Sequence, residues 1–257
     1  MKIAIIGQGA IAGYVRTQIK RRQIVEIAQI VRPGKEMAGS PPSISSVDDL
    51  PGAVDLIVDC GGHAALAAHG PAALARGIDM LTVSLGALAD ADLYDRLLAA
   101  AQTGSARLSL ATGAIGGLDA LRAAAVGQLD QVTYTGRKPP NGWRGSPAEK
   151  TLDLDAITEA AVHFKGSARE AALAYLKNAN VAAAVALAGI GLDRTKVELI
   201  ADPSVTTNIH QISASGDFGE MQFTIAGNSL PDNPRSSALA AMSVVAALVD
   251  RQRQIGF

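Results

Sequence analysis

Short apolar runs punctuate the first half of the chain, each followed by a turn and then by a stretch of helical periodicity. Ile3–Ile6, Val25–Val31, Val54–Val58, Met80–Ser84 and Arg107–Ala111 are rich in branched residues. All read as strands, and Ile3–Ile6 as one buried on both faces, as in a parallel sheet. Ser43–Ser46 is a weaker strand inside a stretch over 33–53 that is rich in Pro, Gly and Ser. Helices are predicted to continue through Tyr14–Arg22, to cover Ala64–Arg76 and to run from Asp90 to Thr103. The glycine-rich bend after Ala111 feeds another. This alternation of strand and helix predicts a doubly wound parallel sheet.

The pattern then changes. Gln131–Lys138 alternates like a half-buried strand, and Pro139-Pro-Asn-Gly142 is a loop expected to resist regular structure. His163 is expected at the end of a helix. Ser167 with Glu170 forms a capping box before a helix over Ala168–Lys177, and a second helix covers Val181–Ala188. Lys196–Ala201, Asn208–Ser215 and Glu220–Ala226 are strands, the last two joined as a hairpin through Ser215-Gly-Asp-Phe-Gly219. Asn233-Pro234 introduces a last helix, Ser236–Gln252, with proline at an early position where its missing N–H is not needed.

The first strand runs into Gly7-Gln-Gly9-Ala-Ile-Ala12, the spacing G-x-G-x-x-A. Gly7 permits a tight turn, Gly9 lets a pyrophosphate approach the backbone, and Ala12 lets the helix pack close to the strand. Ala10 and Ile11 open that helix, whose unpaired N–H groups and positive dipole end suit phosphate. A dinucleotide is the expected ligand, with a glycine-rich turn of another α/β protein as the alternative. The place of the acidic residue that bonds an NAD ribose holds Arg32-Pro-Gly-Lys35 instead. Arg32 suits a 2′-phosphate, so NADP is expected alongside NAD, unless Arg32 is a solvated loop charge. Cys60-Gly61-Gly-His63 follows the third strong strand and is expected to lie over the cofactor, with His63 capping the helix that follows or serving catalysis.

The expected fold class is thus α/β: an N-terminal Rossmann domain with a doubly wound parallel sheet, plus an α+β catalytic domain with a mixed or antiparallel sheet. The first is assigned to 1–118 and completed by a C-terminal helix over 234–257. The second covers 119–233. Composition adds limits rather than chemistry. Of 257 residues, 48% are hydrophobic, which implies a well-filled core. The net charge of −1 carries no basic run of the kind nucleic acid selects. Cys60 is the lone cysteine, which excludes an intrachain disulfide and fits a reducing compartment. No signal peptide or membrane span is read, so a cytoplasmic location is expected.

Taken in order, Gly7-Gln-Gly-Ala-Ile-Ala, Ser84-Leu-Gly-Ala-Leu-Ala-Asp, Thr112-Gly-Ala-Ile-Gly-Gly-Leu-Asp, Arg137-Lys-Pro-Pro, Lys177-Asn-Ala-Asn-Val, Asn208-Ile-His and Asn233-Pro-Arg-Ser-Ser make the chain resemble the L-aspartate dehydrogenase family over nearly its full length. The resemblance implies oxidation of L-aspartate with NAD or NADP, through iminoaspartate, to oxaloacetate and ammonia. In some organisms the family's iminoaspartate supplies NAD biosynthesis. It also implies that His210 is the active-site histidine and that Ala114 and Asn180 contact the cofactor.

Those implications meet the residues as follows. Oxidative deamination needs a proton acceptor, and histidine suits it because its ordinary pKa lies near working pH. His210 alone is predicted within a second-domain strand, beside polar Asn208; the bland alternative is a hydrogen-bonded strand histidine. The substrate carboxylates need cationic or N–H partners. Arg137, Lys138, Lys150, Lys165, Lys177 and Arg235 are candidates. Lys138 stands out beside its Pro-Pro-Asn-Gly loop, and Lys177 beside Asn178 and Asn180. No spacing suggests a metal site. The active site is expected in the cleft between the domains, and a homodimer through the exposed face of the second sheet. The rivals are a dihydrodipicolinate-reductase-like imine reductase, whose histidine-pair-plus-lysine signature is missing, and a non-catalytic NAD(P)-binding sensor.

Overall fold

The computed structural model describes residues 1–176, 180–231 and 233–256. The chain divides into two compact units, Met1–Ala111 with Ala240–Phe257, and Thr112–Leu239. The division after Ala111 places the Thr112–Leu118 turn in the second unit rather than the first.

The first unit contains β1 (Lys2–Ile6), α1 (Ala10–Ile19), β2 (Val25–Ile30), β3 (Ser43–Ile44), β4 (Leu56–Asp59), α2 (His63–Ala75), β5 (Met80–Thr82), α3 (Ala91–Gly104) and β6 (Leu108–Leu110). Its sheet has six strands in the order β3-β2-β1-β4-β5-β6, and every pairing is parallel. This is the order of a dinucleotide-binding Rossmann sheet, with the reversal point beside β1. Ile3, Ile5, Leu56 and Val58 send fully buried side chains to one face, where Ala12, Val15 and Ile19 of α1 meet them. Each such isoleucine contributes about 1.5–3 kcal/mol by leaving water. Helix α1 stops at Ile19, its last core contact, rather than at Arg22. Arg22 turns back and its guanidinium donates to the Gln18 carbonyl at 2.6 Å, satisfying a group that the helix end would orphan.

The second unit contains α4 (Leu118–Ala124), β7 (Leu129–Lys138), β8 (Ala161–Ser167), α5 (Ala168–Ala174), α6 (Asn180–Ala188), β9 (Lys196–Ala201), β10 (Asn208–Gly216), β11 (Gly219–Gly227), β12 (Ser229–Leu230) and β13 (Asn233–Ser237). Five of its strands form a mixed sheet in the order β11-β10-β7-β9-β8, in which only β7 and β9 run parallel. Its alternation is regular: Val132, Tyr134, Gly136 and Lys138 are buried while Thr133, Thr135 and Arg137 are half-buried. The expected capping box forms, with Ser167 and Glu170 each accepting from the other's backbone N–H.

Four local expectations are corrected. His163 lies in strand β8, not at a helix end. Residues Pro140–Trp143 form a 3₁₀ turn, because Trp143 buries its whole side chain and anchors it by donating from Nε1 to the Ile200 carbonyl at 2.9 Å. Pro234 belongs to β13, which pairs with β12, so the last helix, α7 (Ala238–Asp250), begins later than Ser236. Gly62, not His63, occupies the cap of α2; its φ of +87° suits glycine, and His63 is the first helical residue. Helix α7 returns Val244, Val245 and Leu248 to the core of the first unit. Among the described residues no helix is long and apolar enough to cross a membrane.

Candidate active site

The loop after β1 has the features a pyrophosphate needs. Gly7 adopts φ +107°, and a Cβ there would come within 2.9 Å of the Cys60 carbonyl oxygen. Its N–H donates to Ile30 at 2.9 Å, and its carbonyl accepts from the Arg16 guanidinium at 3.0 Å. Arg16 also holds Glu26 of β2, at 2.9 Å. Arg16 thus ties helix, loop and strand together, a brace that no motif announces. A Cβ on Gly9 would meet nothing within 4 Å. Gly9 caps α1 without a side-chain hydrogen bond, and no carboxylate stands in the first turn. The N–H groups that Ala10 and Ile11 place at the helix start are therefore open to an anion, and the residues present fit a dinucleotide phosphate. Arg32 is exposed just beyond β2.

The segment after β4 is organised by Asp59, which the sequence pattern did not single out. Its fully buried carboxylate accepts from Thr82 Oγ1 at 2.7 Å, Ser84 Oγ at 2.7 Å and the Gly61 N–H at 2.9 Å. Burial pushes its pKa up, against the pull of those donors. The carboxylate fixes the Cys60-Gly61 corner against Gly7 and links it to the end of β5. Gly61 has no room for a side chain, since a Cβ would lie 2.5 Å from that of Ala65. Burial raises the Cys60 thiol pKa, so it is a packed group rather than a thiolate.

In the second unit the inward face of the sheet collects polar groups. His210 pairs with Gly136 across β10 and β7, and is 4% exposed. Its Nδ1 shares a 2.8 Å hydrogen bond with the Tyr134 hydroxyl. Its Nε2 makes no hydrogen bond among the described residues. Burial first, and then the positive charge of Lys138, lowers its pKa to about 4. The imidazole is neutral at neutral pH. Lys138 sits on the same face, 8% exposed, with Nζ 4.7 Å from the centroid of the Trp143 ring. Burial lowers its pKa to about 8. It remains a cation at neutral pH, steadied by the indole face. Gly142 of the 3₁₀ turn lies against Lys138, with a built Cβ 3.3 Å from that of Lys138 and 3.9 Å from Asn208 Oδ1. The turn thereby gathers Lys138 and Asn208 at the end of the sheet that carries His210.

Ala114 is buried in the turn after β6, and the adjoining Gly116 and Gly117 press on Phe223 of β11. Phe223 pairs with Ile212, two residues along β10 from His210. Asn180 opens α6, which packs on β7. Lys177 and Asn178 lie outside the described residues. Of the remaining cations, Arg137 pairs with Asp202 on the opposite face, Lys165 pairs with Glu198 at 2.8 Å, and Lys150 is exposed. Burial first, and then the positive charge of Lys138, lowers the pKa of a second histidine, His163, to about 4. Its Nδ1 meets the Tyr175 hydroxyl at 3.1 Å, its ring stands edge-on 4.4 Å from Trp143, and its Nε2 is buried without a partner. Among the described residues no cluster of His, Cys, Asp and Glu could hold a metal ion.

A parallel sheet in Rossmann order and an uncapped glycine loop fit a dinucleotide-binding unit, and the second unit carries a buried histidine–lysine face. Comparison with known proteins narrows this. Residues 119–251 match the family described as aspartate dehydrogenase, C-terminal, and residues 7–111 match the NAD binding domain of homoserine dehydrogenase. The L-aspartate dehydrogenase of Ruegeria pomeroyi is 56% identical, over 98% of this chain and 92% of that protein. That of Pseudomonas aeruginosa is 46% identical, over 96% of each. The crystal structure of aspartate dehydrogenase from Thermotoga maritima superimposes with a TM-score of 0.79 at 27% identity, covering 100% of this chain and 99% of that one. The chain belongs to the L-aspartate dehydrogenase family.

Proposed function

We propose that the protein oxidises L-aspartate through iminoaspartate to oxaloacetate and ammonia, with NAD or NADP as acceptor. The reading rests on one arrangement above the rest: a neutral histidine, its Nδ1 held by a tyrosine hydroxyl, on the same buried sheet face as a cationic lysine. The nicotinamide, when bound, supplies the hydride acceptor for the substrate Cα. His210 takes a proton as the amine becomes an imine and releases it to solvent, and then takes one from the water that adds to the imine. It returns a proton to the nitrogen as ammonia leaves. Lys138 is paired with a substrate carboxylate, and Asn208 donates a further hydrogen bond. Lys177 and Asn178 are further substrate contacts by family resemblance. Gly7, Gly9, Ala10, Ile11, Cys60 and Gly61 hold the dinucleotide phosphates and ribose, and Arg32 favours a 2′-phosphate. Ala114 and Asn180 are cofactor-contacting positions. We place the enzyme in the cytoplasm as a homodimer whose iminoaspartate feeds NAD biosynthesis.

The test is the absorbance of reduced nicotinamide with L-aspartate and either cofactor, and the reverse run with oxaloacetate and ammonia. Turnover selective for aspartate over glutamate and alanine is expected, and Arg32→Ala should lose NADP use more than NAD use. Dinucleotide binding without turnover in either direction would exclude this substrate and favour the sensor.

A further inference from the structure

His210 is held by a partner that is neither a carboxylate nor a backbone carbonyl. Tyr134 is 1% exposed, and His210 Nδ1 is its hydroxyl's one hydrogen-bond partner among the described residues. The two rings lie nearly parallel, at 20° with centroids 6.1 Å apart. A carboxylate at Nδ1 accepts only, and so commits the imidazole to one tautomer. A phenol both donates and accepts. When its O–H points at Nδ1, the imidazole proton resides on Nε2. When Nδ1–H points at the phenol oxygen, Nε2 presents a lone pair. Burial raises the Tyr134 pKa, so the phenol stays protonated in either arrangement.

The space for this hydroxyl is reserved by Gly136. That residue lies directly opposite His210 and two positions along from Tyr134, on the same face. A Cβ there would come within 2.7 Å of the Tyr134 hydroxyl oxygen and 3.2 Å of Leu199 Cδ2. Both neighbours are buried, so the hydroxyl is the group that would have to move. The φ of Gly136 lies outside the left-handed region, so the backbone itself does not demand glycine.

We propose that Tyr134 and Gly136 are positioning residues for proton transfer: the Tyr134 hydroxyl oxygen accepts from Nδ1–H of His210, which presents the Nε2 lone pair as base at one step and steadies the imidazolium that acts as acid at the next, and Gly136 keeps that hydroxyl in reach. The proposal rests on the assignment of His210 to the proton steps. The cycle balances in this one tautomer. Nε2 gains the substrate or water proton while Nδ1–H donates to the phenol oxygen, and Nε2 returns its proton to the departing nitrogen. Tyr134 itself never ionises.

The experiment is a double-mutant cycle of Tyr134→Phe and Gly136→Ala, with cofactor affinity, KM and kcat measured for each. Tyr134→Phe should lower kcat by about tenfold to a hundredfold, the cost of one buried hydrogen bond felt at the transition state, and leave cofactor affinity unchanged. Gly136→Ala should lower kcat similarly, yet add little once the hydroxyl is gone. Imidazole nitrogen NMR on the folded protein gives a readout independent of turnover: Tyr134→Phe should change the His210 tautomer balance. Wild-type kcat in Tyr134→Phe, or losses that multiply across the cycle, would overturn the proposal. If His210→Ala also keeps wild-type turnover, the assignment of His210 has failed. If His210→Ala is inactive while Tyr134→Phe is not, only the positioning role has failed.

Discussion

The two histidines of the second unit's sheet each have a tyrosine hydroxyl as first neighbour and differ in the setting of the other ring nitrogen. Each gives Nδ1 to a tyrosine hydroxyl, Tyr134 for His210 and Tyr175 for His163, and each has its pKa lowered to about 4. His210 sits in regular register on β10, opposite Gly136, and its Nε2 makes no hydrogen bond among the described residues. His163 sits where the pairing of β8 with β9 slips between Val162 and Phe164, and its Nε2 is closed in beside Trp143. Residue type, burial and pKa are thus the same on both sides of the comparison. In the proposed reading, what separates the proton-transfer group from the packing group is the setting of the second nitrogen. A sealed, unpartnered nitrogen costs about 1–3 kcal/mol, which His163 recovers only through its packing.

The comparison breaks most sharply at His210. His210→Ala should lower kcat by about a hundredfold to ten-thousandfold while cofactor affinity holds. Turnover near wild type would place the proton steps elsewhere. Next comes acid stability, where the two histidines should act alike. Their folded pKa of about 4 lies below the ordinary 6.5. The unfolded chain therefore binds more protons between those values. Stability is complete above the upper one and falls as pH drops toward the lower, by on the order of 3 kcal/mol per histidine. Urea unfolding across that interval should show the loss, and His163→Phe should remove about half of it.

Lys138 flanks both rings and should split them again. Lys138→Met is expected to raise KM for aspartate by about tenfold to a hundredfold, the worth of a charged hydrogen bond. In the wild type KM should climb as pH passes about 8, where the ammonium is lost. A pH-independent KM would separate Lys138 from the substrate. The smallest effect is expected at His163 itself: His163→Phe should keep kcat within about twofold. A large loss there would make the two histidines functional equals.

Legibility followed how local each cause was. The glycine loop was readable because Gly7, Gly9 and Ala12 act within one turn of their own chain. The strands of both sheets were readable from short apolar or alternating runs, to within a few residues at their ends. The helix ends were less so: α1 stops where its core contacts stop, and α7 starts late because Asn233–Ser237 finds a strand partner. Asp59, Arg16 and Tyr134 carry no motif, since their partners lie 23, 9 and 76 positions away. The Pro139–Gly142 loop looked irregular because nothing in its composition foretells that the next residue, Trp143, would be drawn wholly into the core.

By itself the sequence determined the fold class and the family, and it singled out the glycine loop and His210 as candidates, all on local spacing or on ordered motifs. Only the tertiary structure decided which histidine has its second nitrogen sealed, which lysine is buried against an indole, and which tyrosine stands behind the imidazole. Those properties arise where strands distant in sequence lie side by side, and burial and charge act through space rather than along the chain.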